Sequence, residues 1–229
     1  MATATEIKYE AKEIGDIEGL GKIYQVGAPL HKQIHALKEK GARLVTPEET
    51  ARIRIAGLSN DYTRTSFAPV GVYGEKPVLI KESPFMNETM AVMAVNAHAR
   101  NEYPTQNREF YEIARETAEG QLSLEPEDRT AVILQNMEDY NLTPEMDDAK
   151  FILGNQTADY FKKFNHPSIK VYLLDQGLMK KLPRDKCAVN YLWFDWPDVG
   201  SGLGCRDWGL GGDDRAFGVS ERSLEKHFS

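Results

Sequence analysis

Cysteine is scarce in this chain: two residues in 229, Cys187 and Cys205. Two thiols cannot build the disulfide framework of a small secreted scaffold, and no Cys-x-x-Cys pair is present to seed a zinc site. Long apolar runs are missing too, since none reaches the roughly 18 residues of a membrane-crossing helix. The start, Met1-Ala2-Thr3-Ala4-Thr5-Glu6, has neither the basic flank nor the apolar stretch of a secretory signal. These absences predict a cytoplasmic protein with reduced thiols and no membrane partner. No internal repeat, low-complexity segment or Ser/Gly linker divides the chain, so one domain over 1–229 is expected.

An excess of basic charge is also lacking. Lys and Arg number 28 against 35 Asp and Glu, a formal net charge of -7. The first 115 residues balance, 15 against 15, and the excess of acid lies beyond them. Residues 116–159 hold 11 acids and 2 bases, and residues 160–186 hold 7 bases and 2 acids. A protein that grips nucleic-acid phosphates needs a broad basic face. The short basic stretch from Lys162 to Lys186 has an acidic neighbour to pair with, so nucleic acid is disfavoured as a partner.

Regular elements read as follows. Leu30, Ile34 and Leu37 recur at i, i+4, i+7 and predict a helix over 29–40 that stops at Gly41. Arg43-Leu44-Val45 is extended. Thr46-Pro47-Glu48-Glu49 is a capping box that opens a second helix ending near Gly57. Residues 66–82 predict a β-hairpin turning at Gly74-Glu75-Lys76-Pro77. The polar run Asn60 to Ser66 before it, with Arg64, reads as a surface turn. Further helices are expected over 84–100 and 106–119, the latter ending at Gly120. Another is expected from Glu125-Pro126, with Ile133, Met137 and Tyr140 aligned. A last one starts at Thr143-Pro144 and breaks at Gly154-Asn155. Strands are expected over 169–174, 189–194 and 216–219. Strands flanking a central helical cluster predict the α+β class, with a mixed or antiparallel sheet. A long Gly/Asp/Trp-rich loop over 195–215 follows near the C-terminus.

That loop collects the unusual chemistry. All three tryptophans (Trp193, Trp196, Trp208) and both cysteines fall within 187–219, seven of the 18 glycines within 200–218, and five aspartates within 195–214. Glycine lets backbone approach a ligand closely, carboxylates are hard oxygen ligands, and tryptophan is a flat apolar platform. Named signatures fail: the glycine run has Asp207 where a third dinucleotide-fold glycine should stand, and no Lys-Ser or Lys-Thr follows. The aspartates lack the glutamate at position twelve of an EF-hand loop. Ser201 lacks the Gly-x-Ser-x-Gly spacing of a nucleophile elbow. His31 and His35 stand at i, i+4 on the first helix, but Lys32 occupies the place of the zincin glutamate.

Two functions remain open. The first is a small-molecule or divalent-metal-binding protein, hydrolytic or not. Asp195, Asp198, Asp213 and Asp214 would supply oxygen ligands for Ca²⁺ or Mg²⁺ or acid/base groups, and Asp207 would join the ligand-binding residues. Arg206 or Arg215 would hold an anionic group, and Trp196 and Trp208 would wall the site. The second is a non-catalytic assembly or partner-binding module, with the tryptophans exposed as an apolar patch that drives oligomers. An Ω-loop closed on its own side chains would serve neither.

Overall fold

The structure is a computed structural model, which describes residues 8–72, 78–81, 87–99, 108–125, 128–134, 139–172, 187–189, 192–195, 202–204 and 214–220. The chain begins with an antiparallel hairpin, β1 (Lys12–Ile17) and β2 (Gly21–Gly27). Helix α1 (Leu30–Glu39), strand β3 (Ala42–Leu44), helix α2 (Pro47–Ile55) and strand β4 (Thr63–Arg64) follow. Next come β5 (Ala68–Val72), β6 (Val78–Ile80), α3 (Glu88–Ala99) and α4 (Arg108–Leu122). Strands β7 (Ala131–Ile133) and β8 (Tyr140–Leu142) precede α5 (Asp147–Leu153) and α6 (Thr157–Phe164). The chain closes on β9 (Ile169–Tyr172), β10 (Cys187–Val189), β11 (Trp193–Phe194), β12 (Gly202–Gly204) and β13 (Arg215–Ser220).

The class is α+β, and the main sheet is mixed. Its order is β1-β2-β13-β4-β11-β12-β9-β8, with β3 also on β13. Two pairs are parallel, β13 with β4 and β12 with β9. A separate antiparallel sheet runs β10-β5-β6-β7. Three apolar clusters fill the layers. Leu30, Ala36 and Leu37 of α1 meet Val26, Leu44 and Ala216 of the sheet. Tyr160, Phe161 and Ile152 meet Phe194, Leu203 and Val171. Ile23, Ile53, Phe217 and Val219 form the third. Gly218 admits α1 to the sheet, because a Cβ there would collide with Leu37. Among the described residues no helix is long and apolar enough to cross a membrane.

Local signals succeeded where neighbours in sequence supply the partners. At α2, Glu49 N donates to Thr46 Oγ1 at 3.2 Å and Thr46 N donates to Glu49 Oε2 at 2.8 Å. Such a cap contributes about 1 kcal/mol. Arg43 adds a bidentate pair to the same carboxylate at 2.8 and 2.7 Å. The hairpin stands as β5 and β6, its turn lying outside the described residues.

Four expectations need correction. The helix from 125 does not form: β7 pairs with β6 and β8 with β9, so cross-strand partners override a helical spacing of Ile133 and Tyr140. Gly120 does not end α4, which runs to Leu122. The strand expected over 189–194 is two strands in different sheets, β10 and β11. The 195–215 loop is interrupted, since residues 202–204 form β12 between β11 and β9.

Candidate functional site

Strand directions bring distant segments to one sheet end. β4 and β13 are parallel, and β2 and β11 run opposite to them. The starts of β4, β12 and β13 therefore lie beside the ends of β2 and β11. Phe194 faces Thr63 and Leu203, and Arg215 faces Gly27. This end collects Asp61 and Tyr62 ahead of β4, Asp195 after β11, Asp214 and Arg215 at β13, and the first turn of α1.

Two buried arginines organise it. Arg64 is wholly buried in β4, between Trp193 on β11 and Ala216 on β13. Its Nη2 donates to Asp214 Oδ2 at 2.6 Å, and its Nη1 to Gln33 Oε1 at 3.1 Å and Ala28 O at 3.3 Å. Gln33 Nε2 donates in turn to the Asp214 carbonyl, as does Ala28 N at 3.2 Å. Asp214 is thus held by side chain and backbone, with its side chain 35% exposed. Among the described residues Oδ1 of Asp214 makes no hydrogen bond.

Arg54, on α2, is 1% exposed and has no carboxylate partner among the described residues. Its guanidinium donates to the carbonyls of Asp195 at 2.6 Å, Asp61 at 2.8 Å and Phe194 at 3.3 Å, and to Tyr160 Oη at 3.1 Å. It also lies 5.1 Å from the Phe194 ring centroid. One cation therefore ties the chain leaving β11 to the chain approaching β4. Burial pushes the Tyr160 hydroxyl pKa up, against the opposing charge and hydrogen bond of Arg54.

The carboxylates differ in role. Asp61 is engaged by Gln25 Nε2 at 2.8 Å, by Ser59 Oγ at 3.2 Å and by Arg215. Burial works against its ionisation, but the hydrogen bonds of Gln25 and Arg215, the charge of Arg215 and Ser59 outweigh it, and its pKa falls below the ordinary value. Tyr62 stacks on Trp193, centroids 5.3 Å apart at 47°. Burial lifts the Tyr62 hydroxyl pKa far above the tyrosine range. Asp214 and then Asp195 add to the rise, and Arg64 opposes it. The Tyr62 hydroxyl therefore keeps its proton.

Of the residues singled out from sequence, Asp195, Asp214 and Arg215 are brought together here. Asp198, Arg206, Asp207, Asp213, Trp196 and Trp208 lie outside the described residues, as does Cys205. Gly202 and Gly204 serve the sheet: a Cβ on Gly204 would collide with the Trp193 indole, and one on Gly202 would come 2.9 Å from the Tyr172 ring. Among the described residues no three His, Cys, Asp or Glu side chains are grouped to hold a metal. Sequence reasoning missed Arg54, and took Asp61, Tyr62 and Arg64 for part of a surface turn. Thr63 and Thr65 around Arg64 were the available strand signal.

Comparison with protein families, curated proteins and solved structures finds no match, so the site rests on its own geometry.

Proposed function

We propose that the protein binds a small polar, hydroxyl-bearing molecule at this sheet end, with Asp195 and Asp214 as acceptors and Tyr62 as donor. The observation that carries the reading is convergence. Asp195 and Asp214 lie at opposite ends of the segment rich in Gly, Asp and Trp, and the pairing of β11 and of β13 with β4 brings both to the sheet end at which Tyr62 stands. Charge favours a neutral ligand: Arg64 is matched by Asp214 and Arg215 by Asp61. A Ca²⁺ or Mg²⁺ ligand would need Asp198, Asp207 or Asp213 beside these two. The partner-binding alternative loses one of its three tryptophans, because Trp193 is 5% exposed. It retains exposed Val92, Leu124 and Ile133 as apolar surface.

Tryptophan emission tests the proposal, since Trp193 touches Tyr62 and the other two lie within the same segment. Titration with a panel of sugars and polyols, then Mg²⁺ and Ca²⁺, is expected to give one saturable change with a hydroxylated ligand. Tyr62→Phe and Asp195→Asn, both isosteric, are expected to weaken it about tenfold each, the loss of a hydrogen bond involving a charged or buried group. A flat response to the panel, or full binding by both variants, refutes the reading. Saturation by the cations alone transfers the site to a metal.

A further inference from the structure

At the opposite end of β4 and β13 a second site has a different chemistry. A groove of about 420 Å³ runs between the C-terminal half of α1, strand β3 and Ser66. Its walls are Ile34, Ala42 and Leu44, with Lys38 and Arg43 at the rim. The volume is at the lower end of small-molecule pockets, which span about 300–1,000 Å³.

Three observations specify an occupant. The walls are apolar, and Ile34 is only partly buried against the core. The described lining contains two cations and no carboxylate, and Arg43 alone of the two is paired, with Glu49. Lys38 is exposed and makes no ion pair among the described residues. Ser66 completes the lining, and its hydroxyl is buried with no hydrogen-bond partner. A buried hydroxyl without a partner is destabilising, and a ligand oxygen relieves it.

We infer that this groove binds a small apolar carboxylate, its hydrocarbon part against Ile34 and Leu44 and its carboxylate shared between Lys38 and the Ser66 hydroxyl. The carboxylate supplies both the negative charge that the rim calls for and the acceptor that Ser66 lacks. The inference is independent of the reading of the other sheet end, because the two sites share no residue.

Calorimetric titration of the whole protein with octanoate, below its micellar range, tests it, with octylammonium as the control of opposite charge. Octanoate is expected to saturate one site while octylammonium does not. Lys38→Glu is expected to weaken octanoate about tenfold and Ser66→Ala about threefold, in line with a charged and a neutral hydrogen bond. Both changes leave the core intact, so the variants remain folded, which thermal melts verify. Absence of saturation by octanoate, unchanged affinity in Lys38→Glu, or equal binding of octylammonium overturns the inference. Dimerisation lost on Ile34→Glu, without octanoate binding, gives the groove to a second copy and also overturns it.

Discussion

Removing the carboxylate of Asp214 tests the central arrangement most directly. Arg64 is wholly buried, and Asp214 is its only carboxylate partner within 4 Å among the described residues, at 2.6 Å. Asp214→Ala leaves the guanidinium charged and enclosed, with the Gln33 and Ala28 oxygens as its remaining acceptors among the described residues. Breaking a buried pair from one side costs about 3–5 kcal/mol. Asp214 is itself partly exposed, so water entering the gap softens the loss, and the lower end, about 3 kcal/mol, is expected. Asp214→Asn keeps an acceptor near Oδ2 and loses only the charge. A charge-assisted hydrogen bond exceeds a neutral one by about 1 kcal/mol, so that variant should fall by about 1 kcal/mol. Arg64→Met combined with Asp214→Ala removes both charges together, and its cost should be well below the sum of the single changes. Urea unfolding read by tryptophan emission measures the parent, these three variants and Arg64→Met alone. If Asp214→Ala unfolds within 1 kcal/mol of the parent, the counter-ion argument fails.

Two further outcomes follow from the geometry. Gly204→Ala forces a Cβ into the Trp193 indole, so it should cost about 1–3 kcal/mol and shift tryptophan emission to the red; an unshifted spectrum contradicts the packing. Asp61 has a folded pKa below its unfolded value, so its stabilisation is fully present above the unfolded pKa of about 3.8 and is lost as pH falls through the lower folded value. Asp61→Asn should therefore flatten the fall of stability below about pH 4 as measured by urea midpoints; an unchanged acid limb would remove the Asp61–Arg215–Gln25 cluster from the account.

How much of this was legible in the chain depends on how far each group had to look for its partner. The first helix and the capping box at Thr46 were readable because caps and helical faces join residues three or four apart. The hairpin of β5 and β6 was readable because its strands are close neighbours in sequence. The site was half legible. Gly, Asp and Trp crowding marked 195–215, and Asp195, Asp214 and Arg215 fall at one end of the sheet. Arg64 was not legible, since a lone arginine between two threonines looks solvated until strands cover it, and nor was Arg54, whose acceptors lie on chain that only the fold brings to α2. Residues 125–142 misled because Ile133 and Tyr140 fit a helical period while their pairing partners, β6 and β9, lie elsewhere in the chain.

The amino-acid sequence by itself determined the α+β class, the absence of a membrane-length apolar run, the two local helix starts and the region where unusual chemistry concentrates. All of these follow from composition or from neighbours within one or two turns. Only tertiary structure decided that β4 lies between β13 and β11, so that Arg64 is buried against Asp214, 150 positions away. Only it made Arg54 the clasp between the start of β4 and the end of β11, and turned three loop residues into β12. Those outcomes rest on strand pairings across long stretches of chain, and which pairings form depends on which arrangement buries the apolar faces of every element at once.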